Sequence, residues 1–311
     1  MSGSDLRKPY EAGPTSAVDG VSFAFEHEPI ALRASVDFRE VLFFVPSRGH
    51  PGNIGGNMAQ GSSSLFGLGQ SRIAHAENAP LVLQYWHTKP PQEVQDLMDG
   101  WKSSSEEGFC YKLFDDPTAL AFISDHFDER IRAAYLDCAV PAMKADLLRL
   151  CVLLIHPGIF VDADMRRHGT GGESTGVSLG HEPRASLMSL FEHLKRGLML
   201  KKIFRDRPPR IANGFIVVKE PGDSLLRTML ETAVDNIERR TSNNVWKVTG
   251  PGIATDLFRK LGHEHELFKE FEFWAYGELE PYLHNVSKLQ YKLTEDHWLL
   301  AQAARSIFAS P

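Results

Sequence analysis

The segment from Pro141 to Asp164 constrains this chain more tightly than any other stretch. Met143, Leu147, Leu150 and Leu154 recur at helical spacing, so Pro141–Ile155 reads as a strong helix. Pro157-Gly158 stops it, because proline cannot continue the hydrogen-bond ladder and glycine tolerates the cap. Ile159-Phe160-Val161 then reads as a buried strand, and Asp162-Ala163-Asp164 follows it directly. A helix feeding a buried strand that ends in carboxylates belongs to an α/β sheet.

The flanks agree. Leu81–Tyr85 and Cys110–Phe114 read as strands, and Glu93–Ser104 and Glu129–Ala139 as helices. The Asp115-Asp116-Pro117 turn opens a helix through Phe127. Later strands are expected at Met199–Ile203, Phe215–Val218 and Glu270–Trp274, and helices at Ser224–Arg239 and Ile253–Leu261. Such alternation implies much parallel pairing. Before Pro80 the pattern differs. Val21–Phe25 and Ala31–Phe38 alternate apolar with polar, and Val41–Val45 is a continuous apolar run. Residues 1–79 therefore read as a β-rich extension that includes a Gly/Ser/Asn-rich linker at Gly49–Gly69. Residues 80–311 read as the main domain.

Composition removes several function classes. Lys and Arg total 34 against 40 Asp and Glu, a net charge of −6 without a long basic run, which argues against general nucleic-acid binding. The longest apolar run, Leu150–Ile155, falls far short of the roughly 18–20 residues of a membrane span. Met1–Pro14 is polar and offers no apolar core for a secretory signal. Cys110, Cys138 and Cys151 lack close metal-ligand spacing and read as buried thiols of a reducing compartment. A cytoplasmic location is expected, with peripheral membrane association left open.

The chemistry concentrates at the end of the Ile159–Val161 strand. In open α/β sheets ligands bind at the carboxyl ends of strands. Residues two apart in an extended segment point the same way, so Asp162 and Asp164 can offer hard oxygens to Mg²⁺ or Mn²⁺, and the metal would bring a diphosphate with it. Taken alone, a D-x-D is more often a solvated loop pair. Asp146 and Arg149 lie three apart and share a helix face, a spacing that also suits a surface ion pair. Gln84-Tyr85-Trp86-His87 closes the Leu81–Tyr85 strand. Trp86 there can stack on a planar base or simply fill the core.

In this order, these segments resemble the D-x-D sugar transferases of glycosyltransferase family 32, to which yeast initiating mannosyltransferases belong and the large clostridial glucosylating toxins are related. Gln84-Tyr85-Trp86 matches the opening strand. Trp101, Tyr111, Lys112, Leu113 and Asp115-Asp116 match the next unit. Asp146-Leu147-Leu148-Arg149 matches the D-x-x-R helix, and Pro157 to Asp164 matches the strand that carries D-x-D. Pro157 and Phe160 depart from the family's glycine and tyrosine there. The resemblance is clear over about 85 residues, with weaker echoes at Asn213-Gly214-Phe215, Thr249-Gly250-Pro251 and His297-Trp298.

The resemblance implies a GT-A-like, Rossmann-type fold and a nucleotide-diphosphate sugar donor, with a UDP-sugar favoured over a GDP-sugar. It also implies Mn²⁺ or Mg²⁺, retention at the anomeric carbon, and a carbohydrate, lipid-linked or protein acceptor. Carried over residue by residue, Gln84, Tyr85 and Trp86 border the nucleotide, with Trp86 on the base. Asp146 and Arg149 contact the donor sugar and its phosphate side. Asp162 faces ribose, sugar or metal, Asp164 is the more direct metal ligand, and His297 completes the metal site. Asn213 falls near the donor–acceptor junction. Arg166, Arg167 and His168 are available for an anion, and Arg166–Pro209 is the candidate acceptor region.

Two other readings stay open. A phosphohydrolase would use Asp162 as nucleophile and Asp164 as acid/base, but that leaves Asp146 and Arg149 unexplained. A nucleotide-sugar binding module would keep the same residues without transfer. Gly67-Leu68-Gly69 lacks the strand and helix of a dinucleotide turn, and Gly169–Gly176 lacks the Lys-Ser/Thr of a P-loop. His263-Glu264-His265 lacks the spacing of a zinc helix.

Overall fold

A computed structural model describes residues 79–168, 186–193, 196–201, 210–269, 271–275 and 278–310. The expected N-terminal strands, the Gly49–Gly69 linker and the Gly169–Gly176 loop lie outside the described residues. So does most of the candidate acceptor region.

The strands of the main sheet are β1 (Leu81–Tyr85), β2 (Cys110–Phe114), β3 (Gly158–Val161), β5 (Arg196–Lys201), β6 (Arg210–Val218) and β7 (Glu272–Ala275). They form a six-stranded sheet in the order β2-β1-β3-β6-β5-β7. β1 pairs parallel with β2 and with β3, and β5 parallel with β7. β6 runs antiparallel to both β3 and β5, so the sheet is mixed, with the expected parallel pairing at three of its five strand pairings. β4 (Met165–Arg167) and β8 (Leu283–Asn285) make a separate antiparallel pair. Neither was expected, because three-residue strands carry no usable periodicity.

The helices are α1 (Gln92–Lys102), α2 (Asp116–His126), α3 (Glu129–Asp137), α4 (Pro141–Ile155), α5 (Leu187–His193), α6 (Ser224–Glu238), α7 (Val245–Val248), α8 (Gly252–Leu261) and α9 (Trp298–Ala304). Their starts follow local chemistry. Asp115 caps α2 with a reciprocal capping box to Thr118, and Asp128 and Asp223 cap α3 and α6. The short helices α5, α7 and α9 escaped the sequence pattern.

α4 departs from its expected stripe. Leu148, Cys151, Val152 and Leu153 are buried along with Met143, Leu147, Leu150 and Leu154. The helix packs against β3, α2, α3, α6 and α7, so nearly every direction is protein. Asp146 and Arg149 are consequently interior residues, 5% and 4% exposed, rather than a solvated pair. Gly158 also plays a different part from the expected cap. It is the first residue of β3, and a Cβ there would come within 2.4 Å of the Leu81 carbonyl oxygen on β1. Its missing side chain lets two parallel strands approach, and Pro157 alone marks the helix stop.

Of the cysteines, Cys138 and Cys151 are buried as expected, and Cys110 is only half-buried. Burial pushes the Cys138 and Cys151 thiols far above their usual range, which suits packing rather than reactivity. Among the described residues no helix is long and apolar enough to cross a membrane.

Candidate active site

The register of the sheet assembles the site. β1 and β3 run side by side in the same direction, with Leu81 opposite Gly158 and Leu83 opposite Phe160. Trp86 and Asp162 therefore emerge at the same edge. β6 runs the other way against β3, with Phe215 opposite Val161. That brings Asn213 and Gly214 alongside Asp162, whose N–H donates to the Gly214 carbonyl at 2.8 Å. A Cβ on Gly214 would lie 2.4 Å from Asp162 Oδ2, so only glycine leaves room for this carboxylate.

A cleft of about 420 Å³ opens at this edge. Tyr85, Trp86, Asp146, Arg149, Asp162, Asp164, Asn213 and His297 all line it. Gln84 does not. It is fully buried beneath, where its amide accepts from Tyr111 Oη at 2.9 Å and lies 3.4 Å from the Asp162 carbonyl. Tyr85 lines the cleft but commits its hydroxyl to Asp116, which also accepts from Tyr135 at 3.3 Å and pairs with Lys144 at 2.6 Å. Burial pushes the Tyr85 phenol far above its usual range, and Tyr135 and Asp116 add to that push.

Arg149 is the hub of the floor. Its Nη2 lies 3.1 Å from Asp146 Oδ1 and 3.3 Å from Asp162 Oδ1. Its Nη1 donates to the Asn213 carbonyl, and its guanidinium sits 4.0 Å over the Phe160 ring. Asp146 is engaged at both oxygens, by Asn213 Nδ2 at 2.8 Å and by Thr249 Oγ1 at 3.0 Å. Burial raises the Asp146 pKa, while Arg149, Thr249 and Asn213 pull it back. These contacts place Asp146 as the group that orients Arg149. Asn213, expected near the donor–acceptor junction, is a strand residue that holds Asp146 and Arg149 together. Gly250 and Pro251 line the cleft, and Thr249 is buried beside Asp146.

Asp162 differs from Asp146 in its access to water. Burial pushes its carboxyl up to about 6. Arg149 opposes that shift, Asp164 and Asp146 reinforce it, and Lys292 opposes it again. Yet 37% of the side chain faces the cleft, so a ligand rather than folding would complete its desolvation. Asp164 is paired with Lys292 Nζ at 2.6 Å, and Tyr291 Oη lies 3.4 Å from the same oxygen.

Trp86 is 9% exposed, and the Tyr291 ring stands T-shaped against it at 5.1 Å and 86°. Its indole Nε1 is buried without a hydrogen-bond partner among the described residues. A buried donor left unpaired costs stability unless something supplied later meets it. His297 precedes α9 with its ring centroid 6.2 Å from that of Tyr291. Burial, followed by Lys292, lowers its pKa, and Asp164 opposes the shift.

Among the described residues no three His, Cys, Asp or Glu side chains gather as a ligand set. Asp162, Asp164 and His297, expected as the metal ligands, share the cleft without forming one. A hard divalent ion needs open oxygen lone pairs. Here Arg149 faces Asp162 and Lys292 caps Asp164, so the residues as arranged do not fit a metal bridging the pair.

Arg167 is not available for an anion. It is 7% exposed, paired with Glu107, and donates to Ser103 Oγ at 3.0 Å. His168 stands against His284, with ring nitrogens 2.7 Å apart, and neither lines the cleft. Sequence reasoning missed Tyr291, Lys292 and Asn285. The His297-Trp298 echo pointed to their neighbourhood, but nothing singled out the lysine.

No family model matches the chain. By sequence it is similar to HOC1 of Saccharomyces cerevisiae, named as a glycosyltransferase, with 22% identity over 198 residues. The match takes in 59% of this chain and 49% of that protein, so the chain spans about half the length of that relative. Among solved structures it overlaps the PaToxG glycosyltransferase at 18% identity, TM-score 0.40, over 63% of this chain and 77% of the other. It also overlaps a glycosyltransferase involved in the glycosylation of the major capsid of PBCV-1, at 8% identity and TM-score 0.30, over 71% and 99%.

Proposed function

We propose that the chain transfers a hexosyl group from a nucleotide-diphosphate sugar to an acceptor hydroxyl, with retention at the anomeric carbon, on a GT-A-like fold. One observation carries the reading: Trp86, Arg149, Asp162 and Asp164, picked from separate sequence segments, line one cleft at the edge where β1 and β3 end. The sequence likeness to a protein named as a glycosyltransferase supports it.

In this reading the bond from C1 to the diphosphate oxygen breaks, and its electron pair goes to that oxygen. The acceptor oxygen forms the new bond to C1, and its proton passes to the released diphosphate. Positive charge grows on the sugar and negative charge on the leaving group, so fixed dipoles and charges aimed at these positions lower the barrier. Arg149 serves the leaving group, because a planar guanidinium pairs well with phosphate oxygens. Asp146, Asn213 and Thr249 hold it in place. Asp162 faces the sugar or ribose hydroxyls as an acceptor, and Trp86 offers its ring edge and indole N–H to the base. A UDP-sugar is the favoured donor. No step is routed through a metal.

Incubation with UDP-glucose, UDP-galactose and GDP-mannose, followed by NMR of the released sugar, tests this reading. Slow release of nucleoside diphosphate and a sugar of retained anomeric configuration is expected. Hydrolysis of p-nitrophenyl phosphate with no action on any sugar nucleotide would establish the phosphohydrolase instead.

A further inference from the structure

Lys292 reaches the cleft from the late segment that also carries Tyr291 and His297. Its ammonium meets Asp164 Oδ2 at 2.6 Å and donates to the Val286 carbonyl at 2.8 Å. Asp164 is fixed in turn: its carbonyl accepts the Val286 N–H at 2.9 Å, and Asn285 Nδ2 lies 3.4 Å from Oδ1. The Lys292 and Asp164 side chains each keep 16% exposure. The segment is fastened by a residue from far earlier in the chain. Glu93, in the first turn of α1, accepts the backbone N–H groups of Gln290 and Tyr291, both at 2.9 Å. An ammonium carries three donors, and these contacts use two, which leaves one for a ligand in the cleft.

We propose that Lys292 is the resident cation of this cleft, pinned by Asp164 beside the D-x-D pair so that its ammonium neutralises a diphosphate there. The proposal rests on the transfer reading above and deepens it by naming the group that takes the charge. An ion bound directly to Asp164 Oδ2 would have to displace the ammonium or sit beside a like charge. Arg149 pairs with Asp162 and Lys292 with Asp164, so each carboxylate of the D-x-D already has its own cation. Asp164 is then a positioning residue for Lys292 rather than a metal ligand.

Calorimetric titration with UDP and, in parallel, with GDP, in excess EDTA and then with Mn²⁺, decides the matter. The wild type should bind UDP in EDTA, with little change on adding Mn²⁺. Lys292→Met should lose about tenfold to a hundredfold in affinity in EDTA, the range of a hydrogen bond from a charged group. Lys292→Arg should keep most of it. Mn²⁺ should restore UDP binding to Lys292→Met, because Asp164 is then uncovered. Thermal melting of each variant confirms that it is folded. Wild-type UDP binding that vanishes in EDTA, or a Lys292→Met variant with unchanged affinity there, would overturn the proposal and leave the transfer reading intact. A wild type that binds neither UDP nor GDP under any of these conditions would overturn both.

Discussion

The polar cluster around Arg149 and the one around Lys292 flank the same two carboxylates, yet they are built differently. Arg149 belongs to a helix buried on nearly every side, and Asp146, Asn213 and Thr249, which brace it directly or through Asp146, are all at most 7% exposed. Lys292 belongs to a short segment after β8, and its pair with Asp164 faces the cleft. The first cluster is made by folding and holds a guanidinium among buried partners. The second is made by tethering at the cleft. In the proposed transfer, such a division would suit a site that holds a leaving group and still releases it.

The sharpest way to break this comparison is to remove each cation. Arg149→Met strands Asp146 in the interior and should cost about 3–5 kcal/mol of stability, whereas Lys292→Met should cost about 1 kcal/mol because its carboxylate can turn to water. Urea denaturation of both variants measures the difference, and equal losses would erase the distinction. Gly214→Ala probes the wall between the clusters. Its new methyl runs into Asp162 Oδ2, so a loss of about 1–3 kcal/mol is expected from overpacking. Full stability in that variant would mean that the carboxylate moves freely.

The smallest effect concerns Asp162, which pairs with Arg149 and feels the charge of Lys292. Its folded carboxyl, pushed up to about 6, holds a proton at higher pH than the unfolded one does. The stability this contributes is present in acid and declines as pH rises from about 4 through about 6. With water in the cleft screening the group, the change should be about 1 kcal/mol. Asp162→Asn should flatten that slope in denaturation curves taken across the window. A variant as pH-dependent as the wild type would assign the slope to another group.

Much of the framework was legible in the sequence because it rests on local chemistry. The Met143–Leu154 spacing, the Asp115 cap and the apolar run at Ile159–Val161 are each decided within a few residues. The D-x-D, Asp146, Arg149 and Trp86 were legible as an ordered set, and they do share a cleft. What stayed hidden depends on distant partners. Helical spacing could show that Asp146 and Arg149 share a face, but not that other helices and β3 would cover it. The antiparallel course of β6, which makes Asn213 a brace for Asp146, is set by sheet assembly. Lys292 was invisible because a lone lysine gains meaning only from the carboxylate it meets, 128 positions earlier in the chain.

The brace between Thr249 and Asp146 has a consequence for the order of events during folding. Its two halves lie 103 positions apart, and Tyr291 meets Glu93 across 198. Each closure gives up chain entropy before any contact rewards it, so structures rich in such long-range links form slowly. The i,i+3 pairing of Asp146 with Arg149 is available as soon as α4 winds, and it shelters both charges until Thr249 arrives. The links that complete the cleft are thus expected to close late, and a refolding experiment should recover helical signal before native side-chain packing.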